Sequence, residues 1–96
     1  MPLAFEFDPR KAASNLKKHG VSFAEAMTVF DDPLAQTFPD ELHSEEECRS
    51  ITIGLSSRQR LLFTSHLEVD NRIRMIGARL ADRTEREAYE ELNRSS

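Results

Sequence analysis

The chain has 96 residues, 39% of them hydrophobic and 31% charged, with a formal net charge of −4. That length and balance fit one small globular domain with a single core, and exclude a fibrous or disordered chain. Apolar runs as short as Leu61-Leu62-Phe63 exclude a membrane span, and the lone Cys48 excludes an internal disulfide or a cysteine-based metal cage.

The N-terminus MPLAFEFDPR carries acids where a signal peptide needs a basic start, so a reducing cytoplasm is the expected home. Phe5-Glu6-Phe7 alternates and predicts a short strand. Asp8-Pro9 has the form of an N-cap followed by proline at the first helical position. A helix follows to His19, with Ala12, Ala13 and Leu16 at helical spacing and Gly20 as its C-cap. Ser22 and Glu25 form a capping box for a second helix, whose stripe Phe23, Ala26, Met27 and Phe30 is stopped by Asp31-Asp32-Pro33.

Residues 34–47 read as a polar loop with a brief extended piece at Gln36-Thr37-Phe38 and an acidic run, Glu45-Glu46-Glu47. Residues 49–55, 60–67 and 72–80 then predict three strands joined by hairpins, an antiparallel meander. Asp82 and Glu85 offer another capping box, and Ala88, Tyr89 and Leu92 give a final helix its apolar side. The order places residues 1–96 in one α+β domain, its helices packed on one face of an antiparallel sheet and the other face free. The expected core is Phe23, Met27, Phe30, Ile53, Leu62 or Phe63, Ile73 and Met75.

The acidic average hides an asymmetry. Residues 1–48 hold four Lys/Arg against ten Asp/Glu, and residues 49–96 hold nine against seven, all nine being arginine. Arginine's planar fork suits phosphate and carboxylate. Lys17, Lys18 and His19 fall in the last turn of the first helix, where the dipole favours cations and explains them without a ligand. His19, His43 and His66 are too scattered for a metal motif, and no cofactor is implied.

The stretch RIRMIGARLADRTER, residues 72–86, stands out. In an ideal strand Arg79 shares the core face with Ile73 and Met75, and a buried unpaired guanidinium there is prohibitive. Either a bulge at Gly77-Ala78 turns it outward, or the strand ends and Arg79 reaches a cleft beside the last helix.

FEFDPRKAASNLKKHGVSFAEAMTVFDDP, IGLSSRQRLLF and RIRMIGARLADRTEREAYEE closely resemble the BrnT-type toxins of bacterial toxin–antitoxin systems, from Phe5 to about Glu91. The block N-x-x-K-H-G-V-S-F is the most specific part. The resemblance implies a RelE-like ribonuclease fold, a toxin that halts translation by cleaving RNA, and neutralisation by a BrnA-type antitoxin, with DNA reached only through that antitoxin. Phe7 stands where the family usually has tryptophan, and Gly77 where it often has serine.

RelE-like ribonucleases use no metal, so side chains must move the protons and hold the charge on phosphorus. Arg79 is the first candidate clamp, with Arg74 and Arg83 in support. His19 or His66 is the base or acid, and Lys17, Lys18, Arg58 and Arg60 are candidates for RNA binding. The rival reading is a catalytically inactive module whose arginine face holds an acidic partner.

Overall fold

The computed structural model describes residues 4–42 and 48–94, so His43 and the acidic run Glu45-Glu46-Glu47 lie outside the described residues. In chain order it forms β1 (Ala4–Glu6), α1 (Pro9–His19), α2 (Phe23–Met27) running into a 3₁₀ turn (Thr28–Asp31), β2 (Gln36–Pro39), β3 (Arg49–Leu55), β4 (Leu61–Val69), β5 (Arg72–Leu80) and α3 (Arg83–Arg94).

Local chemistry sets the helix ends. The Asp8 carboxylate accepts the Arg10 amide at 2.8 Å, with Pro9 in the first turn of α1. Gly20 closes α1 at φ 69°, its amide donating to the Leu16 carbonyl at 2.9 Å. The left-handed conformation is what makes glycine fit there. Ser22 Oγ accepts the Glu25 amide at 3.0 Å, but the reciprocal half of that box does not form, because Glu25 turns inward to Arg60. The box before α3 is complete: Asp82 accepts the Glu85 amide at 2.8 Å, and Glu85 accepts the Asp82 amide at 2.9 Å.

The apolar stripe after Ser22 is shifted from its expected line. At Thr28 the α-helix tightens to three residues per turn, which aligns Ala26 with Val29. Both are fully buried with Phe23, whereas Met27 and Phe30 are only partly buried. The 3₁₀ turn lies close on β3, where a Cβ at Gly54 would meet the Val29 carbonyl oxygen at 3.1 Å and Ala35 Cβ at 3.0 Å.

The sheet order is β1-β5-β4-β3-β2. β3, β4 and β5 form the expected antiparallel meander, and the extended piece at residues 36–39 joins it as β2. Asp70 and Asn71, at φ 50° and 66°, make the two-residue turn between β4 and β5, a hairpin geometry these side chains tolerate. β1 corrects the expectation of an antiparallel sheet, since it runs parallel to β5 with Ala4 opposite Arg72 and Glu6 opposite Arg74. A parallel neighbour needs a long crossover, and here nearly the whole chain supplies it. Phe5 is drawn to this edge by the Phe30 ring, 5.4 Å away.

The helices also divide between the two faces, in place of one covered and one free face. Val21, Phe23, Ala26 and Val29 pack on Leu62, Ile73, Met75 and Ala78. Ile51, Ile53 and Leu61, which point the other way, pack with Leu55, Phe63, Ala81 and Tyr89 of the α3 region. Tyr89 is latched by its hydroxyl, which donates to Asp32 at 2.7 Å. No residue of α3 is fully buried, and Leu92 stays exposed. The second face is therefore only half covered, and the uncovered half holds the candidate site.

Candidate active site

Arg79 reaches that face through a one-residue irregularity. Ser65 lies opposite Gly77, but the next residue, His66, lies opposite Met75, so Ile76 has no partner. This bulge is slightly earlier than the expected Gly77-Ala78 position and has the expected consequence. It puts Ala78 into the core with Ile73 and Met75, and turns Gly77 and Arg79 toward Ser65 and Phe63.

There the Arg79 guanidinium lies over the Phe63 ring, 4.0 Å from its centroid. Nη1 and Nη2 each donate to one Glu85 carboxylate oxygen at 2.8 Å, and Nη1 also donates to the Leu80 carbonyl at 3.1 Å. Hydrogen bonds to Glu85 push the Arg79 pKa above its already high ordinary value, so the group is a fixed cation. The Glu85 carboxylate is itself held by the Asp82 backbone amide.

His19 arrives from the other side of the bulge. β1 ends at Glu6, so the outer edge of β5 beyond Arg74 lacks a strand partner. The Asn15 side chain takes that place: its amide donates to the Ala78 carbonyl at 2.8 Å and the Val21 carbonyl at 2.9 Å, and its oxygen accepts the Ala78 amide at 3.1 Å. His19 lies four residues further along α1, on the same helical face. It therefore opens on a hollow of about 160 Å³ shared with Ser65, Gly77 and Arg79.

A larger cleft of about 520 Å³ shares the wall of Phe63, Ser65 and Arg79 and adds Asp40, Leu42, Arg49, Ile51 and Glu85. A Cβ at Gly77 would stand 3.7 Å from the Asn15 oxygen, an ordinary contact, and Gly77 does not have a left-handed φ. A serine would fit, its hydroxyl in the small hollow.

The other candidates lie elsewhere. His66 faces the core on the opposite side of the sheet, its ring edge-on to Phe30 at 5.0 Å and its Nε2 2.8 Å from Thr52 Oγ1. It is 6% exposed, and burial pushes its pKa down to about 4. Arg60 belongs to the β3–β4 turn, where Nε donates to Glu25 at 2.9 Å and Nη2 donates to the other Glu25 oxygen and to the Gly20 carbonyl. Arg58 lies 3.8 Å from the same carboxylate. Arg72 and Arg74 flank Glu6 at 3.3 and 3.9 Å, and Arg83 is exposed and pairs with Glu87 one turn on. Lys17 and Lys18 are exposed at the end of α1, without an ion-pair partner among the described residues.

The structure thus unites Arg79 with His19 and separates both from His66 and Arg60. Phe63 and Asn15 were not expected at the site. The spacing of Asn15 and His19 on one helix, inside the most specific sequence block, is the signal that would have found the first contact. Among the described residues no three His, Cys, Asp or Glu side chains form a group able to hold a metal ion, and no helix is long and apolar enough to cross a membrane.

Residues 7–85 match a family model described as the ribonuclease toxin, BrnT, of a type II toxin–antitoxin system. The crystal structure of the Brucella abortus ribonuclease toxin BrnT is similar in fold, with a TM-score of 0.66 and 21% identity over 85% of this chain and 100% of that one. Curated proteins give no match. With most of its length matched by that model and the same fold in a solved relative, the chain belongs to the BrnT family of ribonuclease toxins of type II toxin–antitoxin systems.

Proposed function

We propose that the chain is a metal-independent endoribonuclease, a single RelE-like domain over residues 1–96, whose cutting centre is the pair of hollows around Arg79. The observation that carries this reading is the bulge at Ile76, which brings Arg79 into one hollow with His19. The scissile phosphate sits against the guanidinium, which stabilises the charge that builds on its oxygens as the ribose 2′-oxygen attacks phosphorus. Attack forms a 2′,3′-cyclic phosphate and releases the 5′-oxygen. One proton leaves the 2′-hydroxyl and another joins the 5′-oxygen. His19 handles one of these transfers, because imidazole is the side chain suited to proton exchange near neutrality. The larger cleft, walled by Phe63, takes an adjoining nucleotide, and an unpaired base can lie against an aromatic ring there.

Lys17 and Lys18 immediately precede His19 at the end of α1 and extend the positive rim, while Arg74 and Arg83 contribute at longer range. A BrnA-type antitoxin is the neutralising partner, and DNA is reached only through it. Family membership supports an antitoxin partner and an RNA target.

The test is cleavage of RNA by the purified chain in excess EDTA. Fragments ending in 2′,3′-cyclic phosphate are expected. Loss of cleavage in chelator with recovery on adding a divalent ion would overturn metal independence. Full cleavage by Arg79→Ala would overturn the location of the site, and full cleavage by His19→Ala would overturn the role of that histidine.

A further inference from the structure

We infer that Glu85 is the positioning residue of this site: by filling one fork of the Arg79 guanidinium it presents the other fork to the phosphate. The inference rests on the proposed role of the Arg79 cleft and concerns how that arginine is made ready.

A guanidinium has five N–H donors arranged as two forks, one end-on between the terminal nitrogens and one side-on between Nε and Nη2. Glu85 takes the end-on fork with two bonds of 2.8 Å, and the Leu80 carbonyl takes the second hydrogen of Nη1. Nε–H and the remaining hydrogen on Nη2 are left, and no described residue accepts from them. These two are parallel and form the side-on fork, which matches two oxygens of a phosphate. Glu85 therefore does not have to leave when phosphate binds.

The rest of the surroundings serves the same end. The Asp82 amide donates to the Glu85 oxygen that also accepts from Arg79 Nη1, so the carboxylate is tied to the first turn of α3. The Phe63 ring lies under the guanidinium plane. A long, flexible side chain is thereby fixed at its tip, along its plane and across its face. The Arg79 side chain remains 36% exposed, and it lines both hollows.

The test compares Glu85→Gln, Asp82→Ala and Arg79→Ala in steady-state cleavage of a short RNA, with thermal melting on each. Glutamine can still accept the Asp82 amide, but its NH2 faces a guanidinium donor, so one bond of the fork is lost. For Glu85→Gln we expect kcat to fall by at least about tenfold, KM to stay within about threefold, and melting to stay close to that of the unchanged chain. Asp82→Ala removes only the side-chain half of the capping box, keeps the backbone amide that holds the Glu85 carboxylate, and should keep kcat. Should Glu85→Gln prove poorly folded, Glu85→Asp keeps the charge but cannot reach both nitrogens, and must show the same fall in kcat.

Cleavage by Glu85→Gln equal to or above that of the unchanged chain, with Arg79→Ala inactive, would overturn the inference and leave the cleft reading intact. An equal loss in Asp82→Ala would also overturn it, since the effect would then belong to the helix start. Full activity of Arg79→Ala would instead sink the cleft reading itself, and this inference with it.

Discussion

Arg60 with Glu25 and Arg79 with Glu85 are the same pair of residue types in two different settings. Glu25 is 5% exposed and takes Nε and Nη2 of Arg60, while the Gly20 carbonyl takes a further Nη2 hydrogen. Ser56 Oγ donates to the same carboxylate at 2.7 Å. The side-on fork of Arg60 is spent inside the protein, tying the β3–β4 turn to α2. Arg79 spends its end-on fork and keeps the other toward a cleft. On the proposed reading, what separates the structural Arg60 from the catalytic Arg79 is which fork is occupied, and on which face the backbone leaves it.

The sharpest way to break this comparison is to remove each arginine in turn. Arg79→Ala should lower RNA cleavage on the order of a hundredfold or more, the usual cost of losing a preorganised donor to a charged transition state. Its melting should change little, because a partly exposed pair contributes modestly to stability. Arg60→Ala should do the reverse. Leaving Glu25 buried without its main partner should lower the melting temperature by more than about 5 °C, with kcat per folded molecule unchanged. Loss of cleavage without loss of stability in Arg60→Ala would erase the distinction.

Acid should strike the Arg60 side of the sheet first. His66 has its pKa pushed down to about 4 by burial, from an ordinary 6.5. The folded state thus refuses a proton that the unfolded chain accepts, so stability is complete above pH 6.5 and falls as pH drops toward 4. The loss is roughly 2–3 kcal/mol. Glu25, held below its ordinary 4.5 chiefly by the Arg60 hydrogen bonds, adds a second loss beneath that value, as the unfolded carboxyl takes its proton first. Urea titrations between pH 7 and pH 4 check the first phase, and His66→Phe should flatten it. An unchanged slope in that variant would assign the acid response to other groups.

The smallest effect expected is that of Gly77→Ser. The Cβ has room and the backbone is not left-handed, so stability should move by less than about 0.5 kcal/mol. The added hydroxyl would stand between His19 and Arg79, and a severalfold gain in cleavage over the unchanged chain is the outcome that sharpens the site. A loss of cleavage with unchanged melting would show that the small hollow must stay empty for the substrate.

Different parts of this picture were legible to different degrees. Asp8, Gly20, Ser22 and the Asp82–Glu85 pair marked helix ends, since a cap is a hydrogen bond between residues at most a few positions apart. The meander was legible from alternation and from the Asp70-Asn71 turn, again a local signal. The conflict at Arg79 was visible too, because a strict alternation would have buried it. Its resolution was open between a bulge and a strand end.

The sequence by itself therefore determined the elements, their order, part of the apolar core and the family to which the chain belongs. Only the tertiary structure decided that β1 enters parallel beside β5, that α3 crosses to the second face, and that the bulge falls at Ile76. It alone decided that His19 joins Arg79 while His66, with equal claim by residue type, is buried beneath Phe30. The physical reason is common to all four. Each is settled by contacts between residues far apart in the chain, such as Asn15 with Ala78 and Glu25 with Arg60. Such contacts leave no local period, because the free energy that selects them comes from satisfying buried backbone and charged groups at a distance.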